Sequence, residues 1–234
     1  MLYYIYFAII PLLFGLYAQF KIKSAYSKWS SVRTPTGITG VEAARRMLDD
    51  HCLYHINIEH VKGTLSDHYD PREKILRLSD GVYNSNSIAA VGVACHEAGH
   101  AYQDAEQYGP LKLRSVMIPA VNIGSNLGPI LFMIGLVLSS MNDFGIRIAE
   151  IGLIIFSLTA VFALITLPVE FNASKRGKKW LEQSAFLYQN EIDGVSDVLE
   201  AAAMTYVSAA VQSIANVLYY ASILSSRNNN RRRR

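Results

Sequence analysis

Three stretches without charge constrain this chain more than any other feature of its sequence. Residues 1–20 and 116–138 hold no Asp, Glu, Lys or Arg, and residues 148–167 hold only Glu150, near their start. A helix needs about 20 apolar residues to cross the hydrocarbon core of a bilayer. Backbone groups find no water there, so such runs are predicted as helices. Lys21, Lys23, Lys28 and Arg33 follow the first run, and Lys112 and Arg114 precede the second. Lys175, Arg176, Lys178 and Lys179 follow the third, whereas the linker between the second and third carries only Asp143 and Arg147. Lys and Arg favour the cytoplasmic side. The pattern therefore predicts an outside N-terminus and a hairpin that leaves the cytoplasm and returns. The first run has no basic leader and no small-residue cleavage site, so it reads as an uncleaved anchor.

The expected organisation is an N-terminal transmembrane anchor at residues 1–20, a cytoplasmic part at 21–115, a transmembrane hairpin at 116–168 and a second cytoplasmic part at 169–234. Residues 200–225 are rich in alanine and free of charge inside. They read either as a fourth span or as a helix lying on the cytoplasmic part or in the interface. A full crossing would carry Arg227 and Arg231 to Arg234 outside. Composition agrees with a protein of the cell membrane: 51% of the 234 residues are hydrophobic and 18% charged, against about a quarter charged in soluble domains. The net charge of +3 gives no basis for a nucleic-acid partner; the expected partner is the lipid bilayer. Cys52 and Cys95 form no CxxC pair and read as two reduced, buried thiols.

The part between the first two runs has local signals of its own. Thr39 and Glu42 have the spacing of a capping box, for a helix to about His51. Residues 55–61 alternate like a strand, 63–69 suggest a second, Asp70-Pro71-Arg72 a turn, and 75–78 a third strand. Asn84, Ser85 and Ser87 offer N-caps for a helix over residues 88–107. Residues 170–190 read as helical, with a turn at Asp193-Gly194. The fold class expected is mainly α, with a small β element before the helix that starts near Ile88.

That helix carries His96-Glu97-Ala98-Gly99-His100. Residues four apart share one helical face, so two imidazoles can grip one ion. Glu97 projects beside them, within reach of a proton on bound water. Zinc suits such a set, because catalytic zinc takes three protein ligands and keeps a position open. One Zn2+ per chain is expected, with Glu97 as general base toward a zinc-bound water. Cys95 points about 100° away from His96 around the helix and is not a ligand. Candidates for the third ligand are Glu170, Glu182, Glu191, Asp104, Asp70 and His68. Glu170 is preferred, because a hairpin returns Pro168 close to Leu111, and a carboxylate at the membrane boundary is costly unless paired. His68 and Tyr69 are candidates for stabilising an oxyanion. His51, His55 and His60 read as surface or strand-packing residues. Asn122 and Asn126, four apart in the second run, read as interhelical hydrogen-bonding residues.

Four stretches carry a family resemblance: Leu65 to Pro71, Leu76 to Ser79, Ala94 to Gln103, and Leu167 to Ser174. Together they resemble the bacterial neutral zinc metallopeptidases of the YugP-like family, over almost the whole chain. That family is similar in plan to the HtpX-type and CAAX-type membrane proteases, which have HExxH, a membrane segment or hairpin, and then Glu-x-x-x-Asp. The resemblance implies a multi-pass, gluzincin-like zincin with Glu170 as ligand. Ser174 stands where the Asp would be, so support for a ligand histidine would fall to Ser174 or Asn172. The activity implied is a membrane-embedded zinc endopeptidase acting on peptide or membrane-protein substrates, with its site on the cytoplasmic side. A different class of reading is a non-catalytic membrane scaffold or chaperone-like protein that retains a metal site; Ser174 keeps it open. A transporter is disfavoured, since transport paths carry intramembrane ionisable groups. No oligomeric state follows from the sequence.

Overall fold

The computed structural model describes residues 5–64, 66–142 and 144–232. Met1 to Tyr4, Leu65, Asp143, Arg233 and Arg234 lie outside the described residues; with them go the start of the first uncharged run, one residue of a family motif, part of the hairpin linker and the end of the basic tail. A π-helical turn, Ile5–Ile9, leads into α1 (Ile10–Ser30). Then come α2 (Gly40–Asp50), β1 (Asn57–Val61), β2 (His68–Asp70), β3 (Ile75–Ser79) and α3 (Ile88–Ala105). Three long helices follow: α4 (Gly109–Leu138), α5 (Phe144–Ser184) and α6 (Gln189–Arg232). The protein is mainly helical with a small sheet, as expected. Among the described residues, three helices are long and apolar enough to cross a membrane: Gly109–Leu138, Phe144–Ser184 and Gln189–Arg227. The helix carrying the first uncharged run is not one of the three.

The chain divides into two compact units. The first comprises Ala18–Lys112 and Leu167–Thr205. Its sheet has the order β1-β3-β2, with β1 parallel and β2 antiparallel to β3. Leu76 and Leu78, two apart on the central strand, are fully buried on one face. They pack with Met47 and Leu48 of α2, Val91 and Ala94 of α3, Leu181 of α5 and Val195 of α6. Each such aliphatic side chain contributes about 1.5–3 kcal/mol by leaving water. The expected caps are present: Thr39 and Glu42 form the capping box of α2, and Ser87 accepts from the Ala90 N–H at the start of α3.

The second unit comprises Met1–Tyr17, Leu113–Thr166 and Tyr206–Arg234. Here α4 and α5 approach through glycine. A Cβ on Gly152 would stand 2.4 Å from the Phe132 nitrogen, and one on Gly135 would stand 2.3 Å from the Ala149 nitrogen. Small residues permit this contact in apolar helix pairs. Phe132 stacks on Tyr220 of α6 at 4.7 Å. Arg227 of α6 donates to the Leu136 carbonyl and, at 3.0 Å, to Ser140 Oγ. The C-terminal part of α6 thus reaches the end of α4. Large apolar side chains such as Ile123, Val137 and Ile154 face outward.

Several expectations are corrected. Helix α5 does not restart after Pro168 but runs through it; long apolar helices accommodate proline where neighbours satisfy the freed backbone. Asp193-Gly194 is no turn and lies inside α6. Gly194 serves a close contact instead, since a Cβ there would meet Trp29 at 2.7 Å. The break falls earlier, at Ala185, whose φ is +55°. Cys95 is buried but Cys52 is exposed. Cys52 adopts φ +59° just after the end of α2, where the chain must turn out of the helix. The Asn126 amide donates to the Asn122 carbonyl of its own helix at 2.8 Å.

Candidate metal centre

Two helices of the first unit build the site. His96 and His100 come from α3, and Glu170 from α5. Gly99 and Gly177 set the spacing between them. A Cβ on Gly99 would stand 2.6 Å from the Ala173 carbonyl oxygen, and one on Gly177 would stand 2.7 Å from that of Cys95. Backbone touches backbone at both places, so short imidazole and carboxylate arms can meet.

They do meet. One ligand atom from each of His96, His100 and Glu170 lies within 4.8 Å of the other two. Glu170 Oε2 is 3.3 Å from His96 Nε2 and 3.4 Å from His100 Nε2. Two ligand atoms each about 2.0–2.1 Å from a tetrahedral zinc ion stand roughly 3.3 Å apart. The donor set, two imidazole nitrogens and one carboxylate oxygen, is also that of a catalytic zinc site. The residues fit the ion on both counts. His100 and Glu170 are buried, at 8% and 2% exposure, so a charge held there is shielded from water.

Glu97 lies beside this group, its Oε1 4.0 Å from His96 Nε2. Burial pushes the Glu97 carboxyl up to about 7; His96 and His68 oppose the rise, while Glu170 and Asp67 add to it. A carboxyl poised near neutrality exchanges protons readily with a bound reactant.

The neighbouring residues sort into distinct roles. Ser174 Oγ lies 3.0 Å from His96 Nδ1. Asn172 Oδ1 accepts from the Gln103 amide at 3.0 Å. Gln103 was not singled out from the sequence, yet its Oε1 lies 3.0 Å from His100 Nδ1. The available signal was a glutamine three residues after His100, on the face that His96 and His100 share. Tyr69 donates its hydroxyl to Asp104 at 2.7 Å. Burial and that bond raise its pKa. His68 is exposed, with Nδ1 2.8 Å from the Ser66 carbonyl oxygen. Neither is brought onto the three clustered side chains.

The other candidates for third ligand are engaged elsewhere. Asp104 holds Tyr69 and Lys74. Asp70 accepts from the Arg72 and Glu73 backbone. Glu182 pairs with Lys178, and Glu191 accepts from the Tyr188 N–H at the start of α6.

A family model described as "Putative neutral zinc metallopeptidase" matches residues 3–225. The curated "Putative membrane protease YugP" of Bacillus subtilis (strain 168) is 46% identical over 228 residues, covering 97% of this chain and 99% of that protein. No solved structure matches significantly.

Proposed function

Because this chain belongs to the putative neutral zinc metallopeptidase family, we propose that it is a membrane-embedded zinc endopeptidase of gluzincin type. His96, His100 and Glu170 would hold the ion. The observation that carries the reading is the approach of both Nε2 atoms to one Glu170 oxygen, at 3.3 and 3.4 Å. When bound, zinc lowers the pKa of a coordinated water and polarises a carbonyl.

Glu97 acts as the general base. It takes a proton as the peptide carbonyl is attacked and passes it to the leaving amine. Its place beside the three clustered side chains, with Oε1 4.0 Å from His96 Nε2, suits both transfers. Ser174 orients the His96 ring through Nδ1.

The site faces the cytoplasm on this reading, since Lys112, Arg114, Lys175 and Lys179 flank the hairpin. The last helix crosses as well, supported by its reach to Leu136 and Ser140 through Arg227. The experiment is zinc content and proteolysis of an unfolded protein substrate, for wild type beside His100→Ala. Loss of both zinc and cleavage in the variant supports the reading; full zinc retention contradicts the ligand assignment.

A further inference from the structure

We infer that Arg176, Asn172 and Gln103 form a positioning chain that holds His100 in the tautomer whose Nε2 can bind a metal ion. The inference rests on the zinc-site reading above and adds residues to it.

Hydrogen-bond polarity fixes each link. A guanidinium only donates, and Arg176 Nε lies 2.7 Å from Asn172, so the Asn172 atom there is its oxygen. That oxygen then accepts from Gln103 Nε2 at 3.0 Å. The Val169 carbonyl, which only accepts, receives the same Gln103 nitrogen at 2.8 Å. Two independent acceptors therefore fix which end of the Gln103 amide is nitrogen. The remaining Gln103 atom, Oε1, can only accept, and it sits 3.0 Å from His100 Nδ1. Nδ1 must carry the hydrogen.

His100 Nε2 is then free to present its lone pair. It is the atom 3.4 Å from Glu170 Oε2. A lone pair facing a carboxylate oxygen calls for a positive charge between them, which a metal ion supplies when bound and a proton on Nε2 supplies otherwise. Gln103 is fully buried, so water cannot replace its bonds. Arg176 is itself anchored, 2.7 Å from Glu106 Oε2 and stacked over the Tyr102 ring. His96 differs: the Ser174 hydroxyl at its Nδ1 can accept or donate, and so permits either tautomer.

The test is zinc affinity of the full chain in detergent, by competition with a chromophoric chelator at neutral pH. Gln103→Leu, near in volume but without an acceptor, is expected to weaken zinc roughly 10–100-fold. Gln103→Glu keeps an acceptor for Nδ1–H but loses the donor to Val169 and Asn172, and is expected to bind at least about threefold more tightly than Gln103→Leu. Asn172→Ala leaves the Gln103 amide held by the Val169 carbonyl alone and is expected to cost about three- to tenfold. Wild-type affinity in Gln103→Leu overturns the chain. Equal weakening in Gln103→Leu and Gln103→Glu overturns it too, because Gln103 would then act only as a tie between helices through Val169. Should Gln103→Leu fail to fold, Asn172→Ala decides, and unchanged affinity there overturns the proposal. A wild-type protein that takes up no zinc overturns the metal-site reading and the chain together, whereas the other outcomes leave that reading standing.

Discussion

The two units of this protein bring helices together with the same device and load it differently. In one, Gly99 and Gly177 let α3 and α5 touch, and the side chains beside the contact are His96, His100, Glu170 and Gln103. In the other, Gly135 and Gly152 let α4 and α5 touch just as closely, and the neighbours are Phe132, Ala149 and Tyr220. Close packing alone therefore does not mark a site. Buried polar groups with mutually fixed partners do, because each would be costly to bury without them.

Substitutions in each unit should separate the two uses. The largest effect is expected from Glu170→Ala, which removes one of three ligands: bound zinc, measured by atomic absorption on purified protein, should fall to background. Gly99→Val comes next. Its side chain would collide with the Ala173 carbonyl at the 2.6 Å approach, push α3 from α5 and cost about 1–3 kcal/mol or more. Thermal unfolding should shift down and zinc affinity should fall with it. Gly152→Leu meets an equally tight contact, 2.4 Å from the Phe132 nitrogen, but away from any ligand. It should lower the unfolding temperature in detergent while the folded fraction keeps its full zinc. If Gly152→Leu empties the site, the two units are not separable in this way. The smallest change is expected for Ser174→Ala, which takes one acceptor from His96 Nδ1. A loss of about tenfold in zinc affinity, at the lower end for groups that orient a ligand, would place Ser174 beneath Gln103 in importance.

What could be read from the sequence was what is local. The capping box at Thr39 and Glu42, the Ser87 cap and the face shared by His96 and His100 all depend on residues within four positions of one another. Glu170 was within reach because a hairpin returns to where it left. Gln103 was not singled out: His100 is three residues away, but the acceptors that fix its amide lie 66 and 69 residues further on. The continuity of α5 through Pro168 and of α6 through Gly194 was hidden for a related reason. Local preference at proline and glycine predicts a break, and packing against distant residues such as Trp29 overrides it. Cys52 was misjudged because composition does not say where the chain leaves a helix, and Cys52 stands exposed just past the end of α2.

The central claim is that one zinc ion, held by His96, His100 and Glu170, works with Glu97 to cut peptide bonds. It is tested most directly by measuring zinc content and cleavage of an unfolded substrate for wild type and Glu97→Gln, side by side in one detergent. The expected result is equal zinc in both proteins, with cleavage in the variant lower by at least about 10²–10⁴-fold. Cleavage by Glu97→Gln at the wild-type rate, or zinc-loaded wild type that cuts nothing, would contradict it.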